Sequence, residues 1–292
     1  MPPSTCTGST RPQASASNEP PGRSQACPEP GRRGECRSAQ HGGCLTSAPW
    51  PYPLWIAHRG AGKLAPENTL AAFRLGAQHG YRAFEGDVKL SADGVPFLLH
   101  DDTLERTTNA HGDAGAQPWA ALALLDAGSW HSRVYAGEPL ASLAGVAAYC
   151  LRNGHALNIE VKPSPGRERH TGEVVARDAA RLWAGQPVPP LLSSFKPDAL
   201  DGAQASAPQL PRALLIDTLW DGWFERARSL ACVAVVAHHK LVDRALVERL
   251  HGAGLRVLAY TVNDEALAQR LLDLGLDGLI TDAVDRFSPN AP

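Results

Sequence analysis

The stretch Ile56–Asp101 reads IAHRGAGKLAPENTL, then FEGDVKL and, after a turn, FLLHD. It begins inside a short apolar run that ends in glycine, which is typical of a buried strand. A helix is predicted next, because apolar residues recur three and four positions apart over Leu70–Ala77. Asn68 or Thr69 can cap this helix and Gly80 can end it. The run AFEGDVKL predicts a second strand, so the stretch opens with a β–α–β unit.

A hairpin follows the second strand. The Asp93-Gly94 turn signal leaves too few residues for a parallel crossover, which needs about a dozen. Residues 97–100 are therefore predicted to return antiparallel to the second strand. This return is predicted to bring His100 level with Glu85.

The remainder of the chain alternates between strand and helix patterns. The segment from about residue 102 to 155 contains no clear strand and is interpreted as a small insertion with helical pieces. Six further strand-like runs follow: ALNIEVK, LLSSF, ALLID, CVAVVAHH, RVLAYTV and DGLITD. Eight parallel strands in β–α alternation predict an α/β fold, a TIM (β/α)₈ barrel with a β-hairpin after strand 2. A doubly wound open sheet is the alternative, but no glycine-rich dinucleotide turn follows the first strand.

The bulk composition excludes several function classes. The 292 residues carry a formal net charge of −2, with 43% hydrophobic and 20% charged residues. No basic footprint for nucleic acid is present, and no apolar run approaches the roughly 18 residues that span a bilayer. The first residues lack the apolar core of a secretory signal. A cytoplasmic protein of unknown oligomeric state is expected.

Residues 1–49 are separated from the rest by their composition. They are rich in Pro, Gly, Ser, Arg and Gln, show no periodicity and contain four of the six cysteines, whose spacing matches no zinc pattern. We interpret them as a disordered or non-native N-terminal tail, since Met1 is the only methionine and a later start is conceivable. The predicted barrel domain is then 50–292.

Carboxylates lie at the ends of two predicted strands. Glu85 and Asp87 are two positions apart and therefore share one face, and Glu160 and Lys162 repeat this spacing on another strand. In a barrel, polar residues at the C-terminal strand ends line the active-site mouth. Three converging carboxylates suit one divalent metal, Mg²⁺ or Ca²⁺. A solvated rim with a Glu–Lys ion pair is the alternative, but a carboxylate inside the apolar run NIEV favours a cation.

Two histidines also follow strands. A single histidine there is more often a satisfied surface or core residue, but His58 and His100 together suit a base and an acid for phosphodiester hydrolysis. Arg59 offers a planar fork for phosphate oxygens, and Lys162 offers a compact charge. The pair at 238 and 239 is interpreted as a solvated strand end.

These motifs, in this order, resemble those of the glycerophosphodiester phosphodiesterases. The matching pieces are HRG with PENT, E-x-D, DGVPFLLHDDTLERTT, NIEVK, LLSSF, YTVN and DGLITD, and LDAGSW resembles the bacterial cytosolic subgroup. The resemblance covers about residues 54–287. Two positions depart from the pattern: Gly86, where an apolar residue is more usual, and Tyr260, where many relatives have tryptophan.

The resemblance implies a TIM barrel that hydrolyses small-molecule glycerophosphodiesters to sn-glycerol 3-phosphate and an alcohol. It implies a role for each of seven residues: Glu85, Asp87 and Glu160 as ligands of one divalent metal, His58 and His100 as the acid–base pair, Arg59 and Lys162 as phosphate-binding residues. In the mechanism it implies, the neighbouring glycerol hydroxyl attacks phosphorus and water opens the resulting cyclic phosphate. The order of the two histidines stays open. A phospholipase acting on intact lipids and a non-catalytic phosphate-binding barrel are the competing hypotheses.

Overall fold

Eight parallel strands close into a barrel, and a ninth strand returns beside the second. The chain is described by a computed structural model over residues 50–289, so the predicted tail lies outside the described residues. The strands found there are β1 (Trp55–Ala57), β2 (Ala83–Leu90), β3 (Pro96–Leu98), β4 (Ala156–Val161), β5 (Leu191–Ser194), β6 (Arg212–Ile216), β7 (Ala234–His238), β8 (Arg256–Tyr260) and β9 (Gly278–Thr281).

The barrel closes at its first strand. Ala57 of β1 is paired with Phe84 of β2 on one side and with Thr281 of β9 on the other, both parallel. Helices connect the strands: α1 (Leu70–Gln78), α2 (Trp119–Leu122), α3 (Leu143–Asn153), α4 (Glu168–Leu182), α5 (Pro197–Ser206), α6 (Trp223–Ser229), α7 (Arg244–Gly252) and α8 (Glu265–Asp273). The predicted TIM barrel is confirmed.

Burial explains why the strands read as apolar runs. All eight residues of β2 are buried, as expected for parallel strands that are covered on both faces. Inside the barrel, Ile56, Leu215 and Val236 belong to one buried cluster. Outside it, helix α1 packs against the sheet through the fully buried Phe73. The α1 cap is Thr69, whose hydroxyl accepts a hydrogen bond from the Ala72 amide.

The hairpin after β2 runs antiparallel, as predicted. Strand β3 is antiparallel to β2, with Val88 opposite Leu98, and the Leu99 amide donates to the Asp87 carbonyl at 3.0 Å. A five-residue turn at 91–95 sets this pairing, and the ladder ends at Leu98, two residues before His100. His100 lines the same cavity as Glu85, and the expectation that the two are level in the sheet register stays a prediction.

The segment after the hairpin ends in a barrel helix. Of the range 102–155 interpreted as an insertion, the first part holds α2 and two short 3₁₀ turns. The last part is α3, whose buried Val146 and Ala147 join the main core.

Among residues 50–289, no helix is both long and apolar enough to cross a bilayer.

Candidate active site

Three carboxylates meet at the inner face of two neighbouring strands. Glu85 and Asp87 lie on β2 and Glu160 lies on β4, where Asp87 and Glu160 are direct partners in the sheet register. One carboxylate oxygen from each residue lies within 4.8 Å of those of the other two. The two-residue spacing turns both β2 side chains to one face, so the sheet register alone brings the cluster together.

The cluster fits a divalent cation. Glu85 Oε1 and Asp87 Oδ1 are buried and have no hydrogen-bond partner, and a buried carboxylate oxygen without a partner is costly. The amide of Asn158 and the hydroxyl of Ser193, also buried, have none either. Carboxylate oxygens with room for water or substrate oxygens are the ligands that Mg²⁺ and Ca²⁺ take in proteins. The three carboxylates could therefore hold a metal ion.

The carboxyl pKa values show how strongly these groups interact. Burial, with the charges of Asp87 and Glu160, raises the pKa of Glu85 well above its ordinary value. Burial and Asp87 likewise raise the pKa of Glu160 to about 7. Burial also acts to raise the pKa of Asp87, but the positive charges of Arg59, His100 and Lys162 outweigh it and the net pKa is lowered. A bound cation would relieve the repulsion between these groups.

Asn68 holds Asp87 in place from the neighbouring loop. Its side-chain amide donates to Asp87 Oδ2 at 2.8 Å, and its carbonyl oxygen accepts from the Asp87 backbone N–H at 3.0 Å. These two bonds fix both the strand and the side chain, and they leave Oδ1 directed away from Asn68. Asn68 has a left-handed backbone, with φ of 62°.

Two cations border the carboxylates. Arg59 Nε lies 3.3 Å from Asp87 Oδ2, and its backbone N–H donates to Glu85 Oε2 at 3.1 Å. Lys162 Nζ lies 3.4 Å from Glu160 Oε1 and 3.9 Å from Asp87 Oδ1. Both side chains line the cavity above the cluster, where positive charge suits a phosphate.

A tight turn after β1 aims Arg59 inward. Arg59 has a left-handed backbone with φ of 51°, and Gly60 follows with φ of 98°. A Cβ atom on Gly60 would lie 2.8 Å from the Phe73 backbone nitrogen, so only glycine fits between this turn and α1. Such backbone strain is typical of functional sites.

His58 is oriented by a carboxylate that directly follows the last barrel strand. Its Nδ1 lies 2.6 Å from Asp282 Oδ1, and its Nε2 lies 3.8 Å from Glu85 Oε2. Asn263 donates to Asp282 Oδ2 at 3.0 Å and accepts from the Asp282 amide. Burial acts to raise the pKa of Asp282, but the bonds from His58 and Asn263 outweigh it and lower the pKa. Asp282 is thus an anion that holds Nδ1 and leaves Nε2 for the cavity.

His100 has a carboxylate partner of its own. Its Nδ1 lies 2.7 Å from Asp101 Oδ1. Arg106 binds both oxygens of that carboxylate and also reaches Glu67, which binds Arg59. Burial lowers the pKa of His100, and the charges of Arg59 and Lys162 add to this against the opposing effect of Asp87. Through Asp101, His100 is thus tied to the network of Arg106, Glu67 and Arg59.

The site borders two adjacent cavities. The inner cavity, of about 200 Å³, lies inside the barrel mouth and includes His58, Leu215 and Tyr260 in its lining. The outer cavity, of about 390 Å³, lies beyond β4 and β5 and includes Lys89 and Lys196. Four residues line both: His100, Glu160, Lys162 and Phe195. The two cavities therefore adjoin at these four residues, and together they are called the cleft.

All seven residues predicted from the sequence come together around this cleft. Six of them line the inner cavity, and the seventh, Asp87, forms ion pairs with two of these six, Arg59 and Lys162. His238 and His239 line neither cavity. They stack on each other, and the His238 ring meets the Tyr260 ring edge-on.

Sequence reasoning missed the groups that orient the site. Asp282, Asp101, Arg106 and Asn68 lie inside the matched motifs, but no active-site role was inferred for them. One signal was available for Asp282, since a polar residue directly after the last barrel strand lies at the active-site end. The partners of Arg106 could not be read from the sequence, because they come together only in the fold.

The family comparison agrees with this geometry. The model of the glycerophosphoryl diester phosphodiesterase family matches residues 58–286. A glycerophosphodiester phosphodiesterase of Caldanaerobacter subterraneus subsp. tengcongensis is 31% identical over 234 residues, which cover 78% of this chain and 93% of that protein.

Solved structures are similar over the same region. A phosphodiesterase of Oleispira antarctica, solved in complex with the product sn-glycerol-3-phosphate, is 37% identical with a TM-score of 0.75 and covers 80% of this chain and 95% of its own. A glycerophosphodiester phosphodiesterase of Agrobacterium tumefaciens is 27% identical with a TM-score of 0.69, over 81% and 99% of the two chains. The chain belongs to the glycerophosphoryl diester phosphodiesterase family and is an enzyme of that class.

Proposed function

We propose that the chain hydrolyses glycerophosphodiesters to sn-glycerol 3-phosphate and an alcohol, with one divalent metal, Mg²⁺ or Ca²⁺. The observation that carries this proposal is the cluster of three carboxylates with buried, unpartnered oxygens, bordered by two histidines in one cleft. The product seen in the Oleispira antarctica relative supports the phosphate monoester that we assign.

His58 is proposed as the base of the first step. Asp282 holds its Nδ1, so a neutral ring carries the proton there and presents the Nε2 lone pair to the inner cavity. The glycerol hydroxyl next to the ester loses its proton to Nε2 while its oxygen bonds to phosphorus. The glycerol part therefore occupies the inner cavity, which ends against the apolar side chains of Leu215 and Ile280.

His100 is proposed as the acid of the same step. It lines both cavities, so it can meet the ester oxygen of an alcohol that extends outward. As the bond from phosphorus to this oxygen breaks, a proton from His100 completes the leaving alcohol. The product of the step is a cyclic glycerol phosphate.

Arg59 and Lys162 are proposed to bind the phosphate oxygens. A bound metal would neutralise charge on these oxygens and make the attacking hydroxyl more acidic. In the second step water replaces the glycerol hydroxyl: His100 takes the water proton, and His58 returns its proton to the glycerol oxygen as the ring opens. Each histidine thus ends in its starting state.

A chelation experiment tests the proposal. Glycerophosphocholine is supplied to the purified chain, and release of glycerol 3-phosphate is followed with EDTA, without it, and after Mg²⁺ or Ca²⁺ is restored. Turnover should stop with EDTA and return with one of the metals. Turnover that is insensitive to the chelator would overturn the metal dependence, and binding of glycerophosphodiesters without turnover would favour the non-catalytic barrel. The cytoplasmic location and the absence of a nucleic-acid partner stay predictions.

A further inference from the structure

We infer that the outer cavity binds the leaving alcohol and that Lys196 selects alcohols that carry an anionic group. This inference rests on the proposed function. The outer cavity adjoins the inner one at His100, Glu160 and Lys162, so a head group that leaves the phosphate past these residues enters the outer cavity. Lys196 lies in that cavity, outside the set of residues that border the metal cluster.

The charges that face the outer cavity are paired except at one place. Asp101 is bound by Arg106 and His100. The Asp102 carboxylate accepts a hydrogen bond from Nζ of Lys89 at 2.6 Å.

Glu160 is engaged by Lys162 at 3.4 Å. The anions of the lining are therefore already compensated by cations. Lys196 is exposed, and within residues 50–289 no carboxylate lies within 4.0 Å of its Nζ; its charge also acts on Glu168, which lies outside the lining of the outer cavity. Its charge remains available to a ligand.

Lys89 adds a second cationic group to the same wall. Its side chain is almost fully buried, with a relative exposure of 1%, and its Nζ also reaches the Lys162 carbonyl at 3.4 Å. Because that ammonium is paired with Asp102, Lys196 supplies the uncompensated positive charge of this wall. The lining offers no free carboxylate and a single phenyl ring, Phe195, so it lacks the cage of several rings that recognises a quaternary ammonium. The wall is suited to a carboxylate or a second phosphate.

Two diesters that differ by one carboxylate test this inference. Glycerophosphoserine is glycerophosphoethanolamine with a carboxylate added beside the amine. For each protein, kcat/KM is measured on both substrates and the serine-to-ethanolamine ratio is taken, so that intrinsic differences between the two leaving groups cancel between variants. The wild type is compared with Lys196→Met and Lys196→Glu.

The ratio should fall when the charge is removed and fall further when it is reversed. For an exposed ion pair we expect a decrease of about 1.5- to 5-fold for Lys196→Met, and of roughly 2- to 25-fold for Lys196→Glu, since reversal doubles the change in charge. High salt should reduce both effects. Lys240 is the matched control: it is an exposed lysine after β7, at the same end of the barrel but in the lining of neither cavity. Lys240→Glu should leave the ratio unchanged.

The outcomes separate the two proposals. Hydrolysis of both diesters with the same ratio in the wild type and in Lys196→Glu would overturn the assignment of Lys196 while the proposed function stands. Failure of the wild type to hydrolyse either diester would overturn the proposed function and this inference with it. A ratio that changes equally in Lys240→Glu would show a general field effect and would also overturn the assignment.

Discussion

Asp282 Oδ1 lies 2.6 Å from Nδ1 of His58, although 224 residues separate them. The contact crosses the seam where β1 and β9 close the barrel. It links the geometry of His58 to barrel closure, because the partner carboxylate arrives only when the last strand is in place. A second carboxylate, Asp101, holds His100 in the same way, so both histidines are held through Nδ1.

Asp282→Asn should lower turnover without disturbing the metal site. An amide can donate to Nδ1 and so favour the wrong tautomer, which would remove part of the roughly 10²–10⁴-fold contribution of acid–base catalysis. The measurement is kcat on glycerophosphocholine together with metal affinity by calorimetry. Asp285→Asn, at an exposed site nearby, is the control. A kcat equal to that of the wild type would contradict the role of Asp282.

The two histidines should respond differently to the leaving group. His58→Ala and His100→Ala should each lower turnover of glycerophosphocholine by roughly 10²–10⁴-fold. With a p-nitrophenyl ester of glycerol phosphate, the leaving group needs no proton, so His100→Ala should regain most of its rate and His58→Ala should not. Rescue of His58→Ala alone would reverse the assigned roles. Equal rescue of both variants would contradict the assignment of different roles to the two histidines.

Metal binding should weaken in acid. The pKa of Glu160 is raised to about 7 by burial and by Asp87, so below that pH the group is protonated in the metal-free protein and a proton competes with the metal. We expect affinity about tenfold lower at pH 6 than at pH 8 from this group alone. Calorimetry in two buffers with different ionisation enthalpies measures the affinity and the proton released. Affinity that does not change over this range would contradict the cluster as a metal site.

Gly86→Val should destabilise the fold. A Cβ on Gly86 would lie 3.0 Å from Leu98 Cδ2 and 3.3 Å from Phe73 Cζ, on the face of β2 away from the carboxylates. Overpacking of this kind costs about 1–3 kcal/mol, measurable by urea denaturation. Gly252→Ala is the control, because nothing lies within 4 Å of the position where its Cβ would stand. If Gly86→Val has the free energy of unfolding of the wild type, the prediction is contradicted, and α1 can shift to accommodate the larger side chain.

Residues of the candidate site were easier to predict from the sequence than the contacts that these residues make with one another. Glu85 and Asp87 could be placed on one face because strand geometry repeats every two residues, and β–α alternation was enough to predict the barrel. The position of His100 relative to β2 could not be fixed from strand geometry in this way, because the ladder ends at Leu98, two residues before it. The partner of His58 could not be found by spacing, since it comes from the far end of the chain.

The bond that is broken tests the central claim most directly. ³¹P NMR of the products formed from glycerophosphocholine, with the metal present, identifies which ester bond to phosphorus is cleaved. The account predicts sn-glycerol 3-phosphate and choline, with the cyclic glycerol phosphate accumulating if its opening is slow. Phosphocholine and glycerol as products would contradict it, because the glycerol would then be the leaving group and not the group that attacks from the inner cavity.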